Sequence, residues 1–185
     1  TGADLASTSV FSTNIRIPAG PVTVSQLAQL YPYDNTIRVV KLSGEKLKAF
    51  LEQSARYFKV TGSGDAAHVV PDPAFIGFNY EVVTGATYTI DLSRQAGDRI
   101  TGLAVRGCAV TPSDSFSLAL TNYRASGTGG YGMLVGVPLV KDDQREVRQL
   151  LIDEITKRRE LKAADFFTES WQLVPAAMAA EAQAA

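Results

Sequence analysis

Between residues 43 and 59, Leu47, Phe50, Leu51, Ala55 and Phe58 recur at three- and four-residue intervals. At 3.6 residues per turn they share one face, which predicts an amphipathic helix with a single core-facing stripe. Such a stripe must be covered, and the residues beyond it supply a sheet. FIGFNYEVV (75–83), TYTIDLS (87–93) and FSLALTNY (116–123) carry the apolar alternation of half-buried strands, with Tyr88, Ile90 and Leu92 on one face and Thr87, Thr89 and Asp91 on the other. VVTGATY places a turn at Gly85 that would join the first two as a hairpin, and RITGLAVRG (99–107) reads as a weaker strand.

The flanking segments follow the same rules. Residues 1–20 are small and polar and end in the turn RIPAGP; TVSQLAQL (23–30) predicts a short helix capped by Thr23 or Ser25 and stopped at Pro32. TIRVVKL (36–42) is β-branched and extended, TGSGDAAHVVPDP (61–73) has loop chemistry around His68, and EVRQLLIDEITKRREL (146–161) predicts a second helix with Val147, Leu150, Leu151 and Ile155 on one face. ESWQLVP (169–175) reads as a final strand. The expected class is α+β, a mixed, largely antiparallel sheet flanked by helices. One domain spans 1–175, followed by an Ala-rich tail, 176–185, with too little bulk to pack and expected to be disordered, frayed or weakly helical.

Several function classes are disfavoured. Eighteen Lys and Arg oppose 19 acidic residues, so there is none of the basic excess that binding a nucleic-acid polymer needs. One histidine, His68, and one cysteine, Cys108, exclude a histidine-rich metal site and an internal disulfide. The aspartates are scattered at turns, no serine sits in Gly-x-Ser-x-Gly, and no apolar run reaches the roughly 18–20 residues of a membrane span. No catalytic residue, metal ligand or cofactor site is expected in this chain. TGADLASTS lacks the basic and apolar regions of a signal peptide, which bears on export only if the natural chain begins there.

Two aromatic motifs stand out. In TNYRASGTGGYG (121–132), GTGGYG matches the dinucleotide fingerprint, but MLVGVPLV follows it where a helix should receive the pyrophosphate, so the match reads as accidental. No Lys-Ser or Lys-Thr pair makes it a Walker loop. It is either a glycine-rich hairpin with packing tyrosines or a loop presenting Tyr123 or Tyr131 to a ligand. YPYDN (31–35) is either a turn capped by Asp34 or Asn35, or a rigid aromatic face with an amide beside it, as recognition of a flat base requires.

In order and spacing, YPYDNTI (31–37), LSGEKLKAFLE (42–52), GFNYEVVTGATYTIDLS (77–93) and NYRASGTGGYG (122–132) resemble the C-terminal domain of the 5'-nucleotidase family, which includes 2',3'-cyclic-nucleotide phosphodiesterases and UDP-sugar hydrolases. The resemblance runs from DLASTSVF to ESWQLV, and NYRASG sits nearer the cyclic phosphodiesterase branch. It implies a partner in cis, an N-terminal metallophosphoesterase domain holding a divalent metal pair, which this sequence does not contain. This chain would then bind the nucleoside part of a nucleotide or nucleoside. Tyr33 and Tyr123 match the two rings that hold the base, and Asn35 matches the amide that bonds it. Arg124, beside the second ring, faces substrate or solvent, and Gly127 and Gly129 belong to the same loop. Gly129 stands where some nucleotidases have an aspartate for the ribose hydroxyls, and Asn14 and Arg16 lie near the place of phosphate-binding arginines. The family places the protein in the periplasm, on the cell wall or outside the cell. Two other readings stay open: a tyrosine-rich interaction module for a protein or glycan, and an oxidoreductase using the fingerprint match.

Overall fold

The computed structural model describes residues 1–11, 14–62 and 67–184. Along the chain run β1 (Leu5–Ser9), α1 (Val24–Leu30), β2 (Thr36–Ser43), α2 (Gly44–Ala55), β3 (Phe58–Thr61), β4 (His68–Pro71), β5 (Glu81–Thr84), β6 (Ala86–Asp91), β7 (Ile100–Val105), β8 (Cys108–Ala109), β9 (Ser115–Thr121), α3 (Asn122–Ala125), β10 (Leu139–Glu146), α4 (Val147–Arg158), β11 (Trp171–Val174) and α5 (Ala176–Ala184). The strands form a five-stranded sheet, β10-β2-β9-β1-β5, a four-stranded sheet, β11-β6-β7-β8, and the pair β3-β4. Only β1 with β9 and β11 with β6 run parallel, so the class is α+β with a mixed, largely antiparallel sheet.

Helix α2 organises the core. Ser43 Oγ caps it by accepting from the Lys46 N–H at 3.2 Å, and Gly44 lets the 111–114 turn close over its start, since a Cβ there would collide with the Thr111 carbonyl. Its stripe, Leu47, Phe50, Leu51 and Ala55, is buried among Leu42, Val83, Ile90, Ile100, Leu118 and Leu120 from both larger sheets. Burying each such side chain contributes on the order of 1.5–3 kcal/mol, which makes this face the main cohesive element.

The structure departs from the sequence pattern in definite ways. The helix expected over 43–59 ends at Ala55. Arg99 Nη1 takes the carbonyls of Ala55 and Phe58, and Phe58 turns out into β3. The segment expected to be loop, 61–73, contains β4, paired to β3 from Phe58↔Pro71 to Thr61↔His68; its residues 63–66 lie outside the described residues. Residues 75–83 are not one strand, because a 3₁₀ turn at Gly77–Asn79 precedes β5.

The hairpin expected at Gly85 does not form. β5 pairs with β1 and β6 with β7 and β11, so Gly85 is the crossing between two sheets. Its φ of +91° and the Asp4 carbonyl, 2.6 Å from where a Cβ would sit, require glycine there. β1 itself arises from the small, polar start of the chain. Asp4 pins it by accepting from the Ser117 N–H at 2.9 Å and hydroxyl at 2.7 Å, and these bonds hold its carboxyl below the usual range. The Ala-rich tail forms α5, the helical alternative of the expectation; Glu181 accepts from the Val69 N–H and meets His68 Nδ1, both at 2.9 Å.

Candidate functional site

The two aromatic motifs lie at one end of the central strand pair. β2 and β9 are antiparallel from Ser43↔Ser115 to Ile37↔Thr121, so the segment that leads into β2 and the segment that follows β9 lie at the same end. Asn122 stitches this end together, its Oδ1 accepting from the N–H groups of Thr36 (3.2 Å) and Tyr123 (2.9 Å). Thr121 Oγ1 accepts from the Arg124 N–H at 3.2 Å and starts α3, a single helical turn.

That turn decides which side chains face out. Tyr123 is 38% exposed, while the next residue, Arg124, is 1% exposed. Tyr33 is 45% exposed and rests against the Phe11 ring, centroids 5.0 Å apart; Phe11 also meets Tyr31 edge-on at 5.0 Å. Asn35 Nδ2 donates to the Tyr31 hydroxyl at 3.2 Å and its backbone carbonyl accepts from the Val147 N–H at 2.9 Å, while its side-chain Oδ1 has no partner among the described residues. Asp34 is tied outward to Arg148 at 2.6 Å.

Arg124 does not point at solvent or into an open cleft. Its Nε donates to Glu81 Oε1 at 2.7 Å, Nη1 to the Thr128 carbonyl at 2.6 Å, and Nη2 to the Phe78 carbonyl at 3.3 Å, with Asn79 Oδ1 shared between the two terminal groups. The guanidinium lies 4.2 Å from the Tyr131 ring centroid and 5.4 Å from that of Tyr123. It therefore lashes the glycine loop to β5 and supports the second aromatic ring.

Tyr131, the other tyrosine of the loop, is core: its hydroxyl donates to the Asn79 carbonyl and meets Ser54 Oγ, each at 2.7 Å. Burial pushes its phenol well above the usual tyrosine range. The glycines of the loop answer to close packing. Gly127 (φ +85°) has Val135 Cγ2 2.8 Å from any added Cβ, and a Cβ on Gly129 (φ +76°) would overlap Asn79 Oδ1 and Arg124 Nη1. The ribose aspartate of some family members therefore has no room at Gly129. Arg16 is exposed.

Three contributors were not among the expected site residues. Phe11 sits in a polar stretch with no periodicity to mark it. Asn79 and Glu81 were visible as polar residues inside the apolar run FIGFNYEVV, a pattern that signals a buried partner. Among the described residues no group of three or more His, Cys, Asp or Glu is placed to hold a metal ion. A cavity of about 700 Å³ between α2 and β7–β8 is lined by neither tyrosine.

Known proteins of one family share the sequence and fold of this chain. Residues 1–136 match the family model described as 5'-nucleotidase, C-terminal domain. The chain is 32% identical over 173 residues to a trifunctional nucleotide phosphoesterase of Bacillus subtilis, covering 86% of this chain and 12% of that protein. It is also 32% identical over 177 residues to the 2',3'-cyclic-nucleotide 2'-phosphodiesterase/3'-nucleotidase of Haemophilus influenzae, covering 84% of this chain and 26% of that one. A crystal structure described as a 5'-nucleotidase of Staphylococcus aureus superposes with a TM-score of 0.79 at 32% identity, over 92% of this chain and 33% of that chain. The chain thus spans about an eighth to a third of the length of the proteins it matches.

Proposed function

The chain belongs to the 5'-nucleotidase C-terminal domain family, and from that premise we propose that it is the nucleotide- or nucleoside-recognition domain of a two-domain metallophosphoesterase. Tyr33 and Tyr123 stack on the two faces of the base, and the side-chain Oδ1 of Asn35 accepts from an N–H on its edge. The supporting observation is the pair of part-exposed tyrosines at one end of β2 and β9, each backed on one side, Tyr33 by Phe11 and Tyr123 by Arg124. Stacking contributes about 1–3 kcal/mol per base contact and tolerates different bases. Arg124, Gly127 and Gly129 serve as the frame that fixes Tyr123, while Asn14 and Arg16 have no assigned role.

The catalytic step, 5'-nucleotidase or cyclic-nucleotide phosphodiesterase chemistry, belongs in this reading to an N-terminal domain in cis with its divalent metal pair. Closure of the two domains would bring the phosphate to it. The whole protein would act in nucleotide breakdown in the periplasm, at the cell wall or outside the cell; among the described residues no helix is long and apolar enough to cross a membrane.

Thermal shift of the chain against adenosine, AMP, 3'-AMP and cytidine, repeated with Tyr33→Ala and Tyr123→Ala, tests this. A rise in melting temperature with a nucleoside that disappears in either variant supports stacking. No response at millimolar ligand, together with capture of a protein or glycan whose binding either substitution abolishes, would instead favour an interaction module.

A further inference from the structure

A separate cavity of about 400 Å³ opens where the end of α2, the start of β3 and the 92–99 turn meet. Four cationic residues line it, Arg56, Lys59, Arg94 and Arg99, against one carboxylate, Asp72; Tyr33, Asn35 and Tyr123 do not. Arg94 is paired with Asp98, whereas Arg56 and Lys59 form no ion pair among the described residues.

Arg99 is the fixed part of this wall. It is 4% exposed, and only carbonyl oxygens hold its guanidinium: Ala55 at 2.9 Å and Phe58 through Nη1, and Arg94 at 3.2 Å through Nε. Its nearest acidic neighbour, Glu52, spends both carboxylate oxygens on the backbone N–H groups of Arg99 (2.9 Å) and Ile100 (2.7 Å). Nη2 has no acceptor among the described residues, and Arg99 is part of the cavity lining. A buried cation ordinarily has an anionic partner. Burial disfavours the charged form of this guanidinium, with Glu52 opposing, and an anion in the cavity would relieve that cost.

We propose that this cavity binds a phosphate-class oxyanion, which accepts from Arg99 Nη2 and is closed over by Arg56 and Lys59. The chemistry is charge-assisted hydrogen bonding to a planar donor that is already positioned. Free inorganic phosphate and the phosphoryl group of a nucleotide share that chemistry. The site stands independently of the stacking site.

The test is the melting temperature of the chain in sodium phosphate and in sodium chloride at matched pH and ionic strength, with AMP and adenosine as further arms. Phosphate is expected to raise it with the logarithm of its concentration above Kd, by about 3–6 °C at ten times Kd, and the Arg56→Gln/Lys59→Gln double variant to abolish most of the rise. If an AMP response shrinks in that variant while the adenosine response does not, the source is the nucleotide; if only inorganic phosphate responds, it is the free ion. Arg99→Lys, which keeps the charge without Nη2, should also weaken the response. Coincident phosphate and chloride curves, or a full phosphate response in the double variant, would overturn the proposal. Tyr123→Ala should leave the phosphate response intact, so failure of base stacking and failure of this site are told apart.

Discussion

Arg124→Met isolates the ion pair that holds the glycine loop. In the native fold Glu81 is buried, with its other oxygen 2.8 Å from Ser7 Oγ, and Arg124 brings the charge that balances it at 2.7 Å. Removing the guanidinium leaves a buried carboxylate without a countercharge and frees the Thr128 and Phe78 carbonyls it had bound. Breaking a buried pair from one side costs about 3–5 kcal/mol. For a chain of this size that is a fall of roughly 6–20 °C in melting temperature. Urea unfolding of the wild type, Arg124→Met, Glu81→Gln and the double variant would measure it. The double variant should be more stable than the two single losses added together by about 2 kcal/mol or more, because neither charge is then stranded. If Arg124→Met costs less than about 1 kcal/mol, or the two losses simply add within about 0.5 kcal/mol, the pair does not anchor the loop and the reasoning fails.

Gly129→Ala should cost more than about 2 kcal/mol, since positive φ and overlap with Asn79 and Arg124 act together, whereas Gly136→Ala, at φ +74° in open space, should cost only about 1 kcal/mol; denaturant midpoints compare them. Tyr131→Phe removes the acceptor of the Ser54 hydroxyl proton, whose oxygen keeps the Glu81 N–H, and the donor to the Asn79 carbonyl, and should lose about 1–3 kcal/mol in the same assay. Bonds from Ser117 hold the Asp4 carboxyl low, and Arg145 holds that of Asp143 low. Their stability is complete above the unfolded carboxyl range near pH 4 and is lost as pH falls through the lower folded values. Asp4→Asn should therefore flatten the acid limb of stability below pH 4, and an unchanged limb would refute the role of Asp4. Burial pushes the Tyr88 phenol up to about 12, so ultraviolet titration should show a late step that Tyr88→Phe removes.

What could be read from the sequence was what local periodicity encodes. The α2 stripe, the inward set Tyr88, Ile90 and Leu92, and the Thr23 cap each depend on neighbours a few residues away, and each is present. What could not be read depends on distant partners. Phe58 continues the helical spacing but leaves the helix because Arg99, 41 positions on, takes its carbonyl. Gly85 has the signature of a hairpin turn, but β1, at the far end of the chain, claims β5. The start of β1 has no strand pattern of its own, and its register is set by Asp4 reaching Ser117.

The same logic separates the tyrosines of the glycine loop, which composition alone cannot distinguish. Tyr123 and Arg124 are neighbours in a single helical turn, about 100° apart around its axis, so the two side chains point in different directions. The buried residue is the charged one because Asn79 and Glu81 wait beneath it, and a polar group can be buried only where such partners exist. The large, flat, part-apolar ring is left outside, with a cation under it. Tyr131 closes the loop from below on Ser54 and Phe50. A packing preference alone would have buried Tyr123 and exposed Arg124. The inversion costs the fold a buried charge, and what it supplies is an outward ring whose position is fixed from behind, which is what a stacking surface needs.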